Sequence, residues 1–274
     1  MKLKKRLEDT LSAGELERLI GAYDLVGDIA IISIPVELTS KENLIAEALL
    51  GSNRKISVVA KRAGKYRGEF RTIPLRILAG ENRKETEVKE SGIRLLVNPE
   101  TVYYSVRSGN ERRRLASLVQ PGESVLVLFS GVAPYPLVIA RYSRAKSVVG
   151  IEKNPKAHEY AVENLRRNKK QQNISLYLGD VREVLPALSA TYDRVVMPLP
   201  TRGEEFLSCA LQALNPNGSL HFYDMQHPEL FARSVEKVIA ACTLENRTVL
   251  SSSIIRCGHC APQSYRICIE TTIS

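Results

Sequence analysis

The chain has 274 residues, of which 44% are hydrophobic and 25% charged, and its formal net charge is +9. These values are typical of a globular protein with a packed core. No apolar run approaches the ~20 residues that span a bilayer, and neither an apolar segment nor a small-residue cleavage site follows the basic N-terminus. We therefore expect a cytoplasmic protein without a membrane-spanning segment or a secretory signal.

The basic excess lies mainly in residues 1–120, which contain 22 Lys and Arg against 16 Asp and Glu. Nucleic acid is the partner that such a surface favours, although a charge of +9 is also compatible with solubility alone.

Residues 1–100 are expected to form a small α+β domain that contacts RNA. The predicted elements are, in chain order, a helical N-terminus (1–22), a strand pair or one bent strand (23–35), a helix capped by Thr39 or Ser40 that ends at Leu50, a strand (56–60) and an antiparallel meander (72–79, 85–90 and 93–97).

Residues 101–274 are expected to form a second domain, in which strands alternate with helices. This alternation is typical of a doubly wound, mostly parallel α/β sheet. Two final strands without a helix between them make the last strand antiparallel. The predicted strands are 125–129, 147–151, 174–178, 194–197, 219–223, 243–256 and 264–273, and the first helix, 111–119, is capped by Asn110.

The second domain is organised around Ser124–Pro155, which has the pattern strand, tight turn, helix, strand and acid. Ser130-Gly131 ends the first strand, and Glu152 follows the second. In such a unit the turn lies beside a ligand, and the acid can bind ribose hydroxyls. The single glycine argues against a dinucleotide and favours S-adenosylmethionine. An ordinary βαβ unit with a surface Glu fits this stretch, taken alone, about as well.

Three strand ends meet at one edge of the predicted sheet, and they carry Ser130-Gly131, Glu152 and Asp180. Ligands bind at this edge in doubly wound sheets. The spacing suits an adenosyl group, with Glu152 on the ribose and Asp180 with Val181 at the adenine. The fourth strand ends at Pro198-Leu199-Pro200, where class I methyltransferases, which use S-adenosylmethionine, place the acceptor.

The five cysteines lie in the C-terminal third and do not form a secreted disulfide framework. Cys257-Gly-His-Cys260 could suggest zinc. A structural zinc site needs about four ligands, usually as two such pairs, and no second pair exists. We expect no metal site.

Several segments of the sequence, in the same order, resemble the archaeal and eukaryotic tRNA (guanine-N1)-methyltransferases that modify guanine 37, which lies 3′ of the anticodon. The resemblance covers about nine-tenths of the chain and is carried by GDIAIISIP, GEFRT, VYYSVRSGNERRRLA, VLFSGVAPYPL, GIEKNPKAHEYAVENLRRNK, GDVREV, DRVVMPLP and CAPQSYRICIE. The chain also resembles the related aminocarboxypropyl transferases of the wybutosine pathway.

The resemblance implies a class I methyltransferase fold and S-adenosylmethionine as the cofactor. Three residues depart from the family's pattern: Val127 replaces an Asp, Ala133 a Gly and Pro198 an Asn. These departures concern the cofactor affinity and substrate discrimination rather than the fold. The expected cofactor-binding residues are Phe129, Gly131, Glu152, Lys153, Asn154, Asp180, Val181, Pro198, Leu199 and Pro200.

The same match implies that Glu111 is the general base for the N1 proton and that Arg71 stabilises the charge that develops on O6. A guanidinium suits that charge because it stays protonated and presents several donors. Glu111 could instead be a first-turn residue that the helix dipole favours, and Arg71 could be one more phosphate contact.

A monomer that binds the anticodon stem-loop of tRNA is expected, with guanine 37 flipped out of its stack toward an aromatic residue, for which Tyr104 is the candidate. A second basic stretch (Arg166, Arg167, Lys169 and Lys170) is an alternative backbone contact or a solvated face. The main candidates for backbone contacts surround Tyr66 and are Arg54, Lys61, Arg62, Lys65 and Arg67.

Two other functions remain open from the sequence. One is the transfer of an aminocarboxypropyl group from the same cofactor to a wybutosine precursor. The other is tRNA binding by a protein whose cofactor site is vestigial, which Val127 and Ala133 would explain.

Overall fold

A computed structural model describes residues 3–64 and 68–274. The chain divides into two compact units, Met1–Val106 and Arg107–Ser274. Among the described residues, no helix combines the length and apolar character needed to cross a bilayer.

The N-terminal unit is an α+β unit with a four-stranded sheet in the order β1-β2-β3-β4 and a separate hairpin, β5-β6. Its core lies between α3 and the sheet, where Ile45 and Leu49 pack with Ala30, Ile32 and Val59. The elements are α1 (Leu3–Arg6), α2 (Ala13–Arg18), β1 (Tyr23–Val26), β2 (Ile29–Ile32), α3 (Glu42–Leu50), β3 (Val58–Arg62), β4 (Leu75–Gly80), β5 (Thr86–Glu90) and β6 (Ile93–Val97).

The predicted helical N-terminus forms as two short helices, the second of which begins after Ser12 with a capping box to Glu15. Two other local predictions for this unit are wrong. Thr39 and Ser40 lie inside a 3₁₀ turn and do not cap α3. The three-strand meander does not form, since β4 pairs with β3. Gly80 permits that pairing: its φ is +85°, and a Cβ there would lie 2.2 Å from the Ser57 carbonyl oxygen.

The C-terminal unit contains a seven-stranded sheet in the order β12-β13-β11-β10-β7-β8-β9. The strand β13 is antiparallel to both of its neighbours, and the other neighbouring pairs are parallel. This sheet confirms the predicted doubly wound fold with an antiparallel last strand. Its elements are α4 (Gly109–Leu118), β7 (Ser124–Leu128), α5 (Pro134–Tyr142), β8 (Ser147–Glu152), α6 (Pro155–Arg167), β9 (Ile174–Leu178), α7 (Val181–Leu188), β10 (Tyr192–Met197), α8 (Leu207–Gln212), β11 (Leu214–Gln226), α9 (Phe231–Leu244), β12 (Val249–Ala261) and β13 (Ser264–Ile273).

Helices cover the sheet on both faces. Leu126 and Leu128 of β7 point toward α7, α8 and α9, where Leu185, Leu211 and Val238 complete a core cluster. Successive strand residues point to opposite faces, so the buried valines of β7 face the layer that contains α4, α5 and α6. Asn110 does not cap α4, because the helix already begins at Gly109.

Candidate active site

The turn after β7 and the end of β8 are joined by the Glu152 carboxylate. The Gly131 N–H donates to Oε2 of Glu152 over 2.7 Å, and the Asn154 N–H donates to Oε1 over 2.7 Å. Burial raises the pKa of Glu152, although these backbone hydrogen bonds act against the rise. A carboxylate has about four lone-pair positions, so both oxygens retain capacity to accept ribose hydroxyls.

The backbone of this turn is left-handed at three residues. Phe129, Gly131 and Ala133 have φ values of +56°, +57° and +65°. Ala133 is fully buried and lies at the N-cap position of α5. A non-glycine residue in this conformation costs roughly 1–2 kcal/mol. The turn therefore keeps a conformation that favours glycine even where alanine occupies it.

Asp180 caps α7 at the same edge of the sheet. Its carboxylate accepts the Arg182 N–H over 2.9 Å, forms a two-point ion pair with the Arg182 guanidinium, and lies 3.1 Å from Lys153 Nζ. The hydrogen bonds from Arg182 hold the pKa of Asp180 well below its usual range. Lys153 and Asp180, predicted separately, thus form one charged group, and Val181 beside them is buried.

An aromatic contact that the sequence did not predict borders this turn. The rings of Phe129 and Phe206 meet edge to face with centroids 4.9 Å apart, and the Arg182 guanidinium lies 5.1 Å from the Phe206 centroid. Phe206 follows the fourth strand in a 3₁₀ turn. No spacing signal marks it, because the contact depends on how the chain folds back over the sheet edge.

The end of β10 lies beside that of β7, since these strands are neighbours in the sheet. The Leu199 N–H donates to the Met197 carbonyl over 2.8 Å and closes a tight turn. Pro198 and Leu199 are partly exposed, and Pro200 is buried. Pro198 has no side-chain donor, so only backbone carbonyls remain available there for polar contacts.

Glu111 is buried on α4, with an exposed fraction of 5%. Arg114 donates to both of its oxygens, from Nε to Oε2 over 2.8 Å and from Nη2 to Oε1 over 2.7 Å. The Tyr223 hydroxyl donates to Oε1 over 2.5 Å. The i,i+3 spacing of Glu111 and Arg114 is a signal that could have revealed the pair, whereas Tyr223 is 112 residues away in sequence.

A chain of polar contacts continues from this pair across the sheet. Arg114 also binds Glu270 over 2.5 Å, and Glu270 lies 3.4 Å from Nδ1 of His221. Arg194 Nη1 lies 2.5 Å from Nε2 of His221. An arginine only donates, so Nε2 accepts and Nδ1 carries the proton. Burial lowers the pKa of His221, in keeping with a neutral ring.

Donor atoms of His221, Cys268 and Glu270 lie within 4.8 Å of one another. With Nδ1 protonated toward Glu270, these side chains form a buried hydrogen-bonded network. The thiols of the Cys257-Gly-His-Cys260 motif lie on β12, where Cys257 is partly buried and Cys260 is exposed. Burial, with the nearby Glu111 carboxylate, raises the pKa of Cys257 to about 12.

In the N-terminal unit, Arg71 has a φ of +51°, and its guanidinium lies 4.9 Å from the ring centroid of Tyr103. Tyr104, the predicted aromatic contact, donates its hydroxyl to Glu90 over 2.5 Å. Tyr103, which is 40% exposed, is thus an aromatic neighbour of Arg71 that the sequence did not single out.

The predicted backbone contacts differ in their surroundings. Arg62 is paired with Asp24 over 2.5 Å, which compensates its charge inside the unit. Lys61 is paired with Glu42, which it shares with Arg76, so its charge is compensated in part. Arg54 is exposed in the turn after α3. Lys65 and Arg67 lie outside the described residues. In the second basic stretch, Arg167 is paired with Glu163.

Comparison with known proteins identifies the family. Residues 86–250 match the TRM5/TYW2 methyltransferase domain, and residues 3–83 match the TYW2 N-terminal domain. The chain is 34% identical over 267 residues to the tRNA (guanine(37)-N(1))-methyltransferase Trm5b of Pyrococcus abyssi, covering 95% of this chain and 77% of that protein. It is 31% identical to a tRNA(Phe) (4-demethylwyosine(37)-C(7)) aminocarboxypropyltransferase of Methanocaldococcus jannaschii, covering 79% and 83%.

Solved structures agree with this assignment. The crystal structure of Trm5b from Pyrococcus abyssi superposes with a TM-score of 0.87 at 32% identity, covering 97% of this chain and 79% of that one. The structure of aTrm5 in complex with tRNALeu superposes with a TM-score of 0.85 at 30% identity, covering 100% and 78%. The chain belongs to the TRM5/TYW2 methyltransferase family.

Proposed function

We propose that this chain transfers a methyl group from S-adenosylmethionine to N1 of guanine 37 in tRNA. The observation that carries the proposal is the 34% identity, over 95% of the chain, with a methyltransferase named for that reaction. The fold and the charged edge of the C-terminal unit are consistent with it. In this proposal the protein is cytoplasmic. It acts as a monomer, because one C-terminal unit contains both the cofactor edge and the buried Glu111.

The residues at the sheet edge fit S-adenosylmethionine, which when bound supplies a methyl group on a positively charged sulfur. Glu152 would accept the ribose hydroxyls, since a carboxylate oxygen can accept further hydrogen bonds beside those from the Gly131 and Asn154 N–H groups. Asp180 and Val181 would border the adenine, beside the aromatic faces of Phe129 and Phe206. The left-handed turn at Gly131 and Ala133 would pass close to the methionine end.

Glu111 would accept the proton that guanine N1 must lose. Two features support this assignment. The carboxylate is buried, so its charge is only weakly screened by water, and Arg114 and Tyr223 fix its orientation. Positioned general bases of this kind accelerate proton transfer by about 10²–10⁴-fold.

Arg71 would donate to O6, where negative charge develops as the proton leaves N1. The contact of its guanidinium with the Tyr103 ring supports this role, because a guanidinium that is already held loses little freedom on binding. Arg71 and Glu111 belong to different units, and each assignment rests on that residue's own surroundings and its match to the family's motif.

The test uses the full chain with S-adenosylmethionine and unmodified tRNA that carries guanine 37. After digestion, nucleoside mass spectrometry is expected to detect 1-methylguanosine. A tRNA with adenine at position 37 is the matched substrate control. If the cofactor binds and no methylated nucleoside forms, the proposal is wrong.

A second candidate is aminocarboxypropyl transfer to a wybutosine precursor. It is favoured by the match of residues 3–83 to the TYW2 N-terminal domain and by the 31% identity with such a transferase. Mass spectrometry separates the two reactions, because the two added groups differ in mass. A third candidate, tRNA binding with a vestigial cofactor site, is motivated by Ala133, and calorimetry with S-adenosylmethionine tests it.

A further inference from the structure

One face of the C-terminal unit collects exposed cations outside the candidate active site. α4 packs against α5, and Arg113 of α4 lies beside the end of α5. Arg141 and Tyr142 end that helix, and Arg144 and Lys146 follow before β8. All five side chains are exposed. We name this group the α4–α5 basic surface.

The charge of this surface is not compensated. Within residues 3–64 and 68–274, none of its four cations forms an ion pair with a carboxylate. The nearby acids on the same stretch, Glu111 and Glu123, are instead turned inward to Arg114 and Arg194. By contrast, Lys61 and Arg62, which the sequence favoured as phosphate contacts, each form an ion pair with a carboxylate, Glu42 and Asp24 respectively.

Contacts within the chain orient part of this surface. The Arg113 guanidinium lies 3.4 Å from the Tyr142 ring centroid and that of Arg141 lies 5.6 Å from it. The Arg141 hydrogen bond and the neighbouring positive charges lower the pKa of Tyr142. The following segment is fixed by the backbone, since the Gly122 N–H donates to the Arg144 carbonyl and the Lys146 N–H to the Glu123 carbonyl.

This face lies at the amino ends of the strands, whereas the cofactor turn lies at their carboxyl ends. α5 begins at Pro134, directly after that turn, and its nine residues span about 14 Å. Residues 144–146 bond the start of β7, which is the amino end of the strand. This surface would therefore contact a part of the substrate other than the reacting base.

We propose that the α4–α5 basic surface binds the sugar-phosphate backbone of the tRNA substrate, an inference that rests on the proposed function. Uncompensated Arg and Lys side chains bind phosphates irrespective of base sequence, and they position the nucleic acid rather than select it. Because the Arg113 and Arg141 guanidiniums already lie against Tyr142, binding loses less of their conformational entropy.

The experiment compares wild type with the double variant Arg141→Gln/Arg144→Gln. The matched control is Arg233→Gln, an exposed arginine on α9 in the opposite helix layer. Binding of unmodified tRNA is measured at several salt concentrations, with the KM for tRNA and the affinity for S-adenosylmethionine. We expect the double variant to bind tRNA about tenfold more weakly and to lower the slope of log K against log salt by about 1.5, since each lost phosphate contact lowers it by about 0.7–0.9.

The loss is expected in the KM for tRNA, and the cofactor affinity reports that the fold is intact. If wild type methylates tRNA and the double variant matches Arg233→Gln in affinity and salt slope, the surface assignment is wrong and the proposed function stands. If wild type neither binds nor modifies tRNA, the proposed function fails and the surface assignment fails with it.

Discussion

The Tyr223 hydroxyl donates a 2.5 Å hydrogen bond to the Glu111 carboxylate, joining the fifth strand of the large sheet to the helix that precedes the sheet. Arg114 completes the contact by binding both carboxylate oxygens. A buried carboxylate requires such partners, because leaving a charge unpaired in the interior costs several kcal/mol. The same arrangement sets the geometry from which Glu111 would accept a proton.

Replacing Glu111 by Gln should lower the single-turnover rate of methylation by about a hundredfold or more, because an amide cannot accept the N1 proton. The cofactor affinity is expected to stay unchanged. Glu236→Gln, at an exposed position on α9, is the matched control. Full activity of Glu111→Gln in rapid-quench assays would remove the base assignment.

Replacing Tyr223 by Phe should lower the free energy of unfolding by about 1–2 kcal/mol, since a buried carboxylate loses a hydrogen-bond donor. The methylation rate should fall about tenfold as the carboxylate loses its fixed orientation. Urea unfolding and single-turnover assays measure the two effects. Tyr192→Phe, in a buried tyrosine of β10, controls for loss of a hydroxyl. Equal behaviour of the two variants would show that the Tyr223 contact is unimportant.

Replacing Ala133 by Gly should leave stability unchanged or raise it by up to about 1 kcal/mol, because glycine adopts the φ of +65° without steric cost. Ala161→Gly, in the regular and equally buried part of α6, should instead cost about 1 kcal/mol. Denaturant unfolding compares them. A stability loss of the same size in both variants would contradict the strained-turn interpretation.

Replacing Glu152 by Gln should weaken S-adenosylmethionine binding by about tenfold or more. Both carboxylate oxygens accept backbone N–H groups, so the amide nitrogen of Gln would face a donor wherever it points. Isothermal calorimetry measures the change, and Glu159→Gln, in an exposed ion pair of α6, is the control. Unchanged affinity would place the ribose elsewhere.

Stability should decline as the pH falls below about 6.5. Burial lowers the pKa of His221 in the folded chain below its ordinary value of 6.5, so the unfolded chain binds a proton that the folded chain does not. The neutral ring makes its full contribution to the free energy of unfolding above pH 6.5, and this contribution is lost as the pH falls through the pKa of the folded chain. Urea unfolding from pH 7.5 to 5.5 measures this slope. His221→Gln should flatten it, whereas His259→Gln, at an exposed histidine, should retain it.

Local patterns were sufficient for much of the C-terminal unit. The apolar run of β7, the glycine in the turn after it and the acid that ends β8 lie within one βαβ unit, and their order alone predicts a ligand edge. The N-terminal unit was harder to predict, because alternating strands do not reveal their partners. β4 pairs with β3 rather than β5, and Gly80 allows the close backbone approach at one end of that pairing.

The sequence by itself determined the family, the doubly wound fold and the edge with Gly131, Glu152 and Asp180, since these depend on neighbouring residues and on the order of strands and helices. Only the tertiary structure decided which charges are compensated. Glu270 reaches Arg114 across 156 positions of sequence, Asp24 neutralises Arg62, and Arg113 meets Tyr142 because α4 packs on α5. Such contacts depend on which elements become neighbours on burial, and no local pattern encodes that choice.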